Sequence, residues 1–287
     1  MSASFYFVSL QCVLILWSAS AAVGKSLSLS SEIITFYRML ISFSTLLILF
    51  CAFKKSRSLF TKKYFFQSFS AGLFLCLHWF CFFKSIKSSN ISIALICLAS
   101  GPLLIKILSL FTNHKNKDLL EYALSIISFF SIMSIFKFES SYHEGLLWGF
   151  LSALFLSFNT LITEKLSHQI TAISNLLLQM GSGVIFLMFY FYLRNHKASY
   201  LLVQREDVLG LLFLGLFCTT FAMLFHVKCL EKLGSFTVIL CSNMEPVYGI
   251  LIALFIYGQS EHMSPEFYVA LTSLIICLFI EWQKKRK

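Results

Sequence analysis

Apolar side chains fall in long blocks along this chain, and polar side chains gather between them. Ten blocks stand out: 5–23, 33–53, 64–83, 91–111, 119–136, 145–163, 170–193, 208–227, 235–257 and 266–282. A bilayer core is crossed by about 20 apolar residues at 1.5 Å rise each, with about 17–25 tolerated. No block shows the alternation, about ten residues long, of a membrane barrel strand. Lipid offers the backbone no partners, so a spanning segment must pair its own amides and carbonyls. The pattern therefore predicts an all-α integral membrane protein with ten transmembrane helices. The polar stretches between the blocks are too short for a soluble domain. Ala19-Ser20-Ala21 has the look of a cleavage site, but no Lys or Arg precedes the first block. The charged start of a signal peptide is missing, so block one is expected to be a retained helix.

Composition agrees. The chain of 287 residues is 58% hydrophobic and 13% charged, with mean hydropathy +0.80, against about 45–50% and about 25% in an average soluble domain. Surface-to-volume scaling leaves a soluble fold of this size no place to hide such an excess. The net charge of +10 would raise the question of nucleic acid, but the basic residues sit between apolar blocks, where they set membrane orientation. With the N-terminus inside, the basic loop Lys54, Lys55, Arg57, Lys62, Lys63 and the tail Lys284, Lys285, Arg286, Lys287 fall on the inner side. Both termini are thus expected in the cytoplasm of a bacterial cell, in its inner membrane, with lipids and a small molecule as partners and no nucleic acid. The 9 Cys lie in or beside apolar blocks without zinc spacing, so we read them as core residues. No metal or cofactor is expected, and oligomeric state is not legible.

Pro102 and Pro246 are spaced like Lys84 and Lys228, Cys97 and Cys241, Leu110 and Leu254, and Phe111 and Phe255. Such recurrence suggests two halves, 1–137 and 138–287, each with five helices. Five is odd, so the second half enters the membrane upside down relative to the first. Inverted repeats that share a midplane site are a recurrent carrier design.

The stretch from Leu211 to Gln259 carries Lys232-Leu233-Gly234, Glu245-Pro246 and Gly258. With Trp17, Phe36-Tyr37-Arg38 and Gly101-Pro102 in the first half, it resembles an EamA-type member of the drug/metabolite transporter superfamily, over the whole chain. The resemblance implies two five-helix repeats and transport of a small organic solute. Two positions depart from the family pattern: Gln259 stands where Glu is frequent, with Lys115 as its first-half counterpart, and Lys106 stands where an apolar residue is usual.

A charge near the bilayer centre costs at least about 2.5–3.5 kcal/mol, so it usually faces the bundle interior. Glu245 in block nine is either a site for a substrate cation or proton, or half of a structural ion pair with Arg38 or Lys106. Arg38 either grips a substrate carboxylate or phosphate with its planar fork, or snorkels to the interface. Lys106, one turn past Pro102, carries the same two readings. Polar candidates behind these are Trp17, His78, Asn159, Gln179 and Asn243, with Gln179 on the helix that would be the inverted counterpart of Arg38's. His78 could equally be a satisfied core histidine. His226 and Lys228 are expected near an interface, and Glu139, Glu144, Glu164, Glu206, Asp207 and Glu261 in solvated end positions. Gly181, Gly183, Gly210 and Gly215 would permit close helix packing.

No HExxH, GxSxG, P-loop or GxGxxG is present, so nothing points to an enzyme or an ATP-driven pump. The expected function is secondary transport by alternating access. Abundant Phe, Lys and Ile with scarce Pro suggest an AT-rich, host-dependent genome. Carriers of this resemblance import S-adenosylmethionine there in exchange for S-adenosylhomocysteine. Export of amino acids or other metabolites is the alternative within the class. A membrane-embedded transferase or a nontransporting scaffold are the alternatives outside it.

Overall fold

A computed structural model describes residues 3–53, 61–110, 119–138, 142–195, 198–258 and 264–286. Among them every long element is helical: α1 Ala3–Ser26, α2 Ser31–Ala52, α3 Lys62–Ser88, α4 Ile91–Cys97, α5 Gly101–Ser109, α6 Leu119–Phe138, α7 His143–Ser167, α8 Ala172–Leu193, α9 Arg205–Gly215, α10 Ala222–Leu233, α11 Ser235–Cys241, α12 Met244–Tyr257 and α13 Pro265–Arg286. Eight stretches are long and apolar enough to span a membrane: α1, α2, α3, α4–α5, α7, α8, α9–α10 and α11–α12. Helices α6 and α13, of 20 and 22 residues, stand in the fifth and tenth positions and pack on each other. Gln259, Lys115, Glu139 and Glu261 lie outside the described residues.

Local chemistry sets the helix ends. The Asn90 side chain accepts from the Ile93 amide at 2.8 Å and starts α4, while Gly234, with φ +80, separates α10 from α11. A left-handed φ of that kind suits glycine, which has no Cβ to clash. Three spans are irregular. The fourth breaks after Cys97 through a short 3₁₀ turn, Leu98–Ser100, before Pro102 opens α5. The ninth breaks after Cys241 at Ser242–Asn243, before Glu245-Pro246 opens α12. In both cases the proline sits in a first turn, where its missing amide is not needed. The eighth span carries a π-helical turn, Leu216–Phe221, between α9 and α10.

The two halves interleave. Helix α3 packs on α7 and α8, α2 on α8, and α1 on α10 and α12. Their shared core includes Met39, Leu75, Phe83, Leu95, Met180 and Leu214. Large apolar side chains such as Phe66, Tyr192, Leu209 and Phe255 point outward, which suits lipid. Cys12 and Cys51 are exposed there too, a departure from the expected core placement, while the other cysteines are buried.

Close approach is sharpest where α3 crosses α8. A Cβ on Gly72 would stand 2.2 Å from the Gln179 carbonyl oxygen and 2.4 Å from its Cα, backbone atoms that cannot rotate aside. Gly72→Val is expected to destabilise the protein by about 1–3 kcal/mol through overpacking, seen as a lower melting temperature in detergent. Gly181→Ala, whose added carbon would meet only the Phe43 ring, at 3.1 Å, should keep the wild-type value.

Candidate functional site

The π-helical turn builds the centre of the molecule. A π turn interrupts the regular i→i−4 ladder and frees backbone carbonyls for other donors. Here the Cys218 carbonyl accepts from Arg38 Nη2 at 3.1 Å and from Trp17 Nε1 at 2.9 Å. Thr219 Oγ1 accepts from Arg38 Nε at 2.6 Å and donates to the Leu214 carbonyl. Thr220 Oγ1 donates to the Gly215 carbonyl and stands 3.0 Å from Ser42 Oγ. The guanidinium lies over the Trp79 ring, 4.2 Å from its centroid, a favourable cation–π geometry in a dry setting. Arg38 is therefore held inside the bundle and does not snorkel.

Arg38 and Glu245 line one cavity with Trp17, His78, Trp79, Phe82, Asn159 and His226. Helices of both halves supply these residues, and the break between α4 and α5 adds Leu98. The cavity measures about 30 Å³, room for about one water molecule.

Each polar group on this wall can be traced. His78 Nδ1 lies 3.0 Å from the Ser152 carbonyl oxygen and 2.8 Å from Ser152 Oγ, which ties the ring to α7. Asn159 Nδ2 donates to the Ala71 carbonyl and to Gln179 Oε1, both at 2.9 Å, which leaves its Oδ1 as an acceptor. His226 stacks obliquely on Trp17, with ring centroids 4.9 Å apart, and its Nδ1 has no partner. The Glu245 backbone carbonyl accepts from Ser18 Oγ at 2.9 Å. Its carboxylate, by contrast, makes no hydrogen bond or ion pair among the described residues.

Five of the expected site residues thus meet: Arg38, Glu245, His78, Asn159 and Trp17. Three do not. Gln179 is consumed behind the cavity wall, donating to Thr163 Oγ1 at 3.1 Å and Asn175 Oδ1 at 3.0 Å while accepting from Asn159. Asn243 is buried at the α11–α12 break, with both amide atoms unpartnered and away from the cavity. Lys106 turns toward α6, where it forms a buried ion pair with Glu121. Lys284 reaches the other oxygen of Glu121 at 3.4 Å. Lys106 also stands 4.8 Å from the Phe236 centroid and 5.1 Å from that of Tyr122. The pair expected to tie Lys106 to Glu245 is therefore replaced by one with a carboxylate at the start of the next helix. A second cavity of about 200 Å³ surrounds this pair and Glu164, which accepts from the Ser235 amide at 3.0 Å.

His226 is buried, not interfacial as expected, because its helix turns that face toward Trp17. Asp207 is buried as well: it accepts from Ser28 N at 3.1 Å and Ser28 Oγ at 2.5 Å, which clamps the α1–α2 loop at the opposite end of the bundle. Cys218 and Thr219 were not singled out. The polar pair Thr219-Thr220 inside an otherwise apolar block is the signal that marks them.

The sequence pattern of the EamA-like transporter family matches residues 5–137 and again residues 143–280. An "Uncharacterized transporter YxxF" of Bacillus subtilis (strain 168) is 23% identical over 216 residues, 73% of this chain and 67% of that protein. A protein crystal structure of 14% sequence identity superposes with TM-score 0.72 over 100% of both chains, which speaks to the fold alone. With the family pattern matched twice along nearly its whole length, this multi-pass membrane chain belongs to the EamA-like transporter family and carries small molecules.

Proposed function

We propose that this chain is a secondary carrier working by alternating access in a bacterial inner membrane, with both termini in the cytoplasm and residues 1–137 and 138–287 as its two moving halves. One observation carries the reading: Glu245 presents to a cavity built from both halves a buried carboxylate that makes no hydrogen bond or contact ion pair and has Arg38 only at longer range. A charge buried without a partner is costly. A proton or a cationic group on a solute removes that cost, and the group leaves when the cavity meets water. Breaks at corresponding places, after Cys97 and after Cys241, support rocking about a shared midplane site. Sites for small molecules run to about 300–1,000 Å³, so a cavity of about 30 Å³ fits a closed stage of such a cycle.

The walls favour a cationic solute with a flat part. Trp17, Trp79 and Phe82 offer ring faces, Glu245 a carboxylate and Arg38 a fixed cation. S-adenosylmethionine, exchanged for S-adenosylhomocysteine, has each complementary group: a sulfonium, an adenine and an amino-acid end. The same opposed charges favour a second reading, the export of amino acids or related metabolites.

In proteoliposomes loaded with unlabelled S-adenosylhomocysteine, Glu245→Gln should lower uptake of labelled S-adenosylmethionine at least tenfold while inserting normally. Equal uptake removes Glu245 from the site. Arg38→Lys should also lower uptake at least tenfold, because an ammonium cannot keep the paired contacts to Thr219 and Cys218 together with the Trp79 stack. Thiol labelling of cysteines added at each chain end should place both on the cytoplasmic face, and labelling on opposite faces refutes an even number of crossings.

A further inference from the structure

The second cavity lies on the same three spans as the first, further along each. The central cavity is lined by Leu98 in the fourth span, Asn159 on α7 and His226 on α10. The second is lined by Ile105 and Lys106 on α5, Glu164 on α7 and Leu233 on α10. Residue numbers rise by five to eight on every helix, which at 1.5 Å per residue is about 8–12 Å. These are the fourth, sixth and eighth crossings, so they run the same way, and the displacement is along the membrane normal.

The second cavity is lined by a buried ion pair. Lys106 and Glu121, at 4% side-chain exposure each, could be replaced by apolar side chains without loss of stability in many proteins. Their presence calls for a role beyond holding α5 to α6. The opposite wall is fixed: Glu164 anchors the Ser235 amide at the turn where Gly234 has φ +80.

Resting on the carrier reading, we propose that the second cavity is the vestibule through which solute passes on this face. Lys106–Glu121 is its gate, and the gate selects zwitterions. A solute with one ammonium and one carboxylate can replace both partners together and leave no buried charge alone. A cation frees Lys106 without compensating it, and an anion leaves Glu121 with only the longer contact to Lys284, at 3.4 Å. Phe236 and Tyr122, which already flank the Lys106 ammonium, can flank the solute's ammonium in its place.

The test reads access to the central cavity. A thiol placed there by Ser20→Cys is labelled in sealed vesicles with a neutral, membrane-impermeant maleimide, against the same protein lacking that substitution. Labelling from the vestibule face should be slow. It should rise at least tenfold in Lys106→Ala/Glu121→Ala and stay slow in Lys106→Arg, which keeps the pair. Millimolar leucine should speed labelling at least threefold in the protein with the natural gate, whereas leucinamide and 2-hydroxy-4-methylpentanoate should not. Unchanged access in the double variant, or an equal or absent response to the three solutes, overturns the proposal. The solute comparison decides even if the double variant fails to assemble. Labelling requires no transport cycle, so absent uptake by the wild type in proteoliposomes strikes the carrier reading alone.

Discussion

Lipid supplies no hydrogen bonds, so any polar group carried into the bilayer must be met by another part of the same chain. Helices solve this for the backbone, and most of the interior side chains here solve it the same way. Ser44 and Thr45 donate to carbonyls one turn back, Leu40 and Ile41. Asn159, Thr163 and Asn175 are all joined through Gln179 between α7 and α8, with Asn175 Nδ2 left buried without a partner among the described residues. Arg38, among the largest of the fully buried side chains, is matched by a carbonyl, a hydroxyl and an indole face. Against that background the Glu245 carboxylate stands out, because it lines the cavity with no hydrogen-bond donor and meets Arg38 only through its field. On the carrier reading, a proton or a cationic solute completes it in turn.

Backbone irregularity is where the chain makes that arrangement affordable. The π turn at Leu216–Phe221 releases the Cys218 carbonyl to serve two donors at once. The break at Ser242–Asn243 lets Glu245 enter on the first turn of a new helix, with its carbonyl tied to Ser18. Had the eighth span been an unbroken α-helix, Arg38 would have lost an acceptor and would have had Glu245 as its natural partner. Satisfying the guanidinium with neutral groups is what leaves the carboxylate free. The two charges thus share a cavity within each other's field but without a contact pair.

Much of this was legible in the sequence, and the remainder has physical reasons for being hidden. Block length and hydropathy disclose spans, because lipid imposes them on composition. Charged residues inside a block disclose Arg38 and Glu245, because burial without purpose is too costly to be common. Which partner a buried charge takes is another matter. Lys106 shares its block with Pro102, yet Glu121, in the next block, claims it, and no periodicity encodes that choice. Gln179 lies behind the cavity lining for the opposite reason: an amide has enough donors and acceptors to be taken up by its neighbours. His226 was misplaced because distance from a helix end was read as depth, whereas α10 turns that face inward. Close crossing at Gly72 depends on the Gln179 backbone of another helix, which a single sequence does not reveal.

The two halves share geometry but not chemistry, and the difference has a direction. Leu98 to Ser100 and Ser242 to Asn243 interrupt equivalent spans, and Trp79 and Phe82 on α3 correspond in repeat position to Met223 and His226 on α10, all four on the cavity wall. A backbone built this way suits the proposed opening toward either face. The side chains break the balance: where one half carries Glu245, the other carries Gly101, and where one carries Arg38, the other carries Ser182. A solute with unlike ends therefore has one preferred orientation in a nearly symmetric frame. On the alternating-access reading, that one orientation turns opposite ends of the solute toward the two faces. The ion pair of Lys106 and Glu121 at one end, against Asp207 holding the neutral Ser28 at the other, extends the same asymmetry from the cavity to its exits.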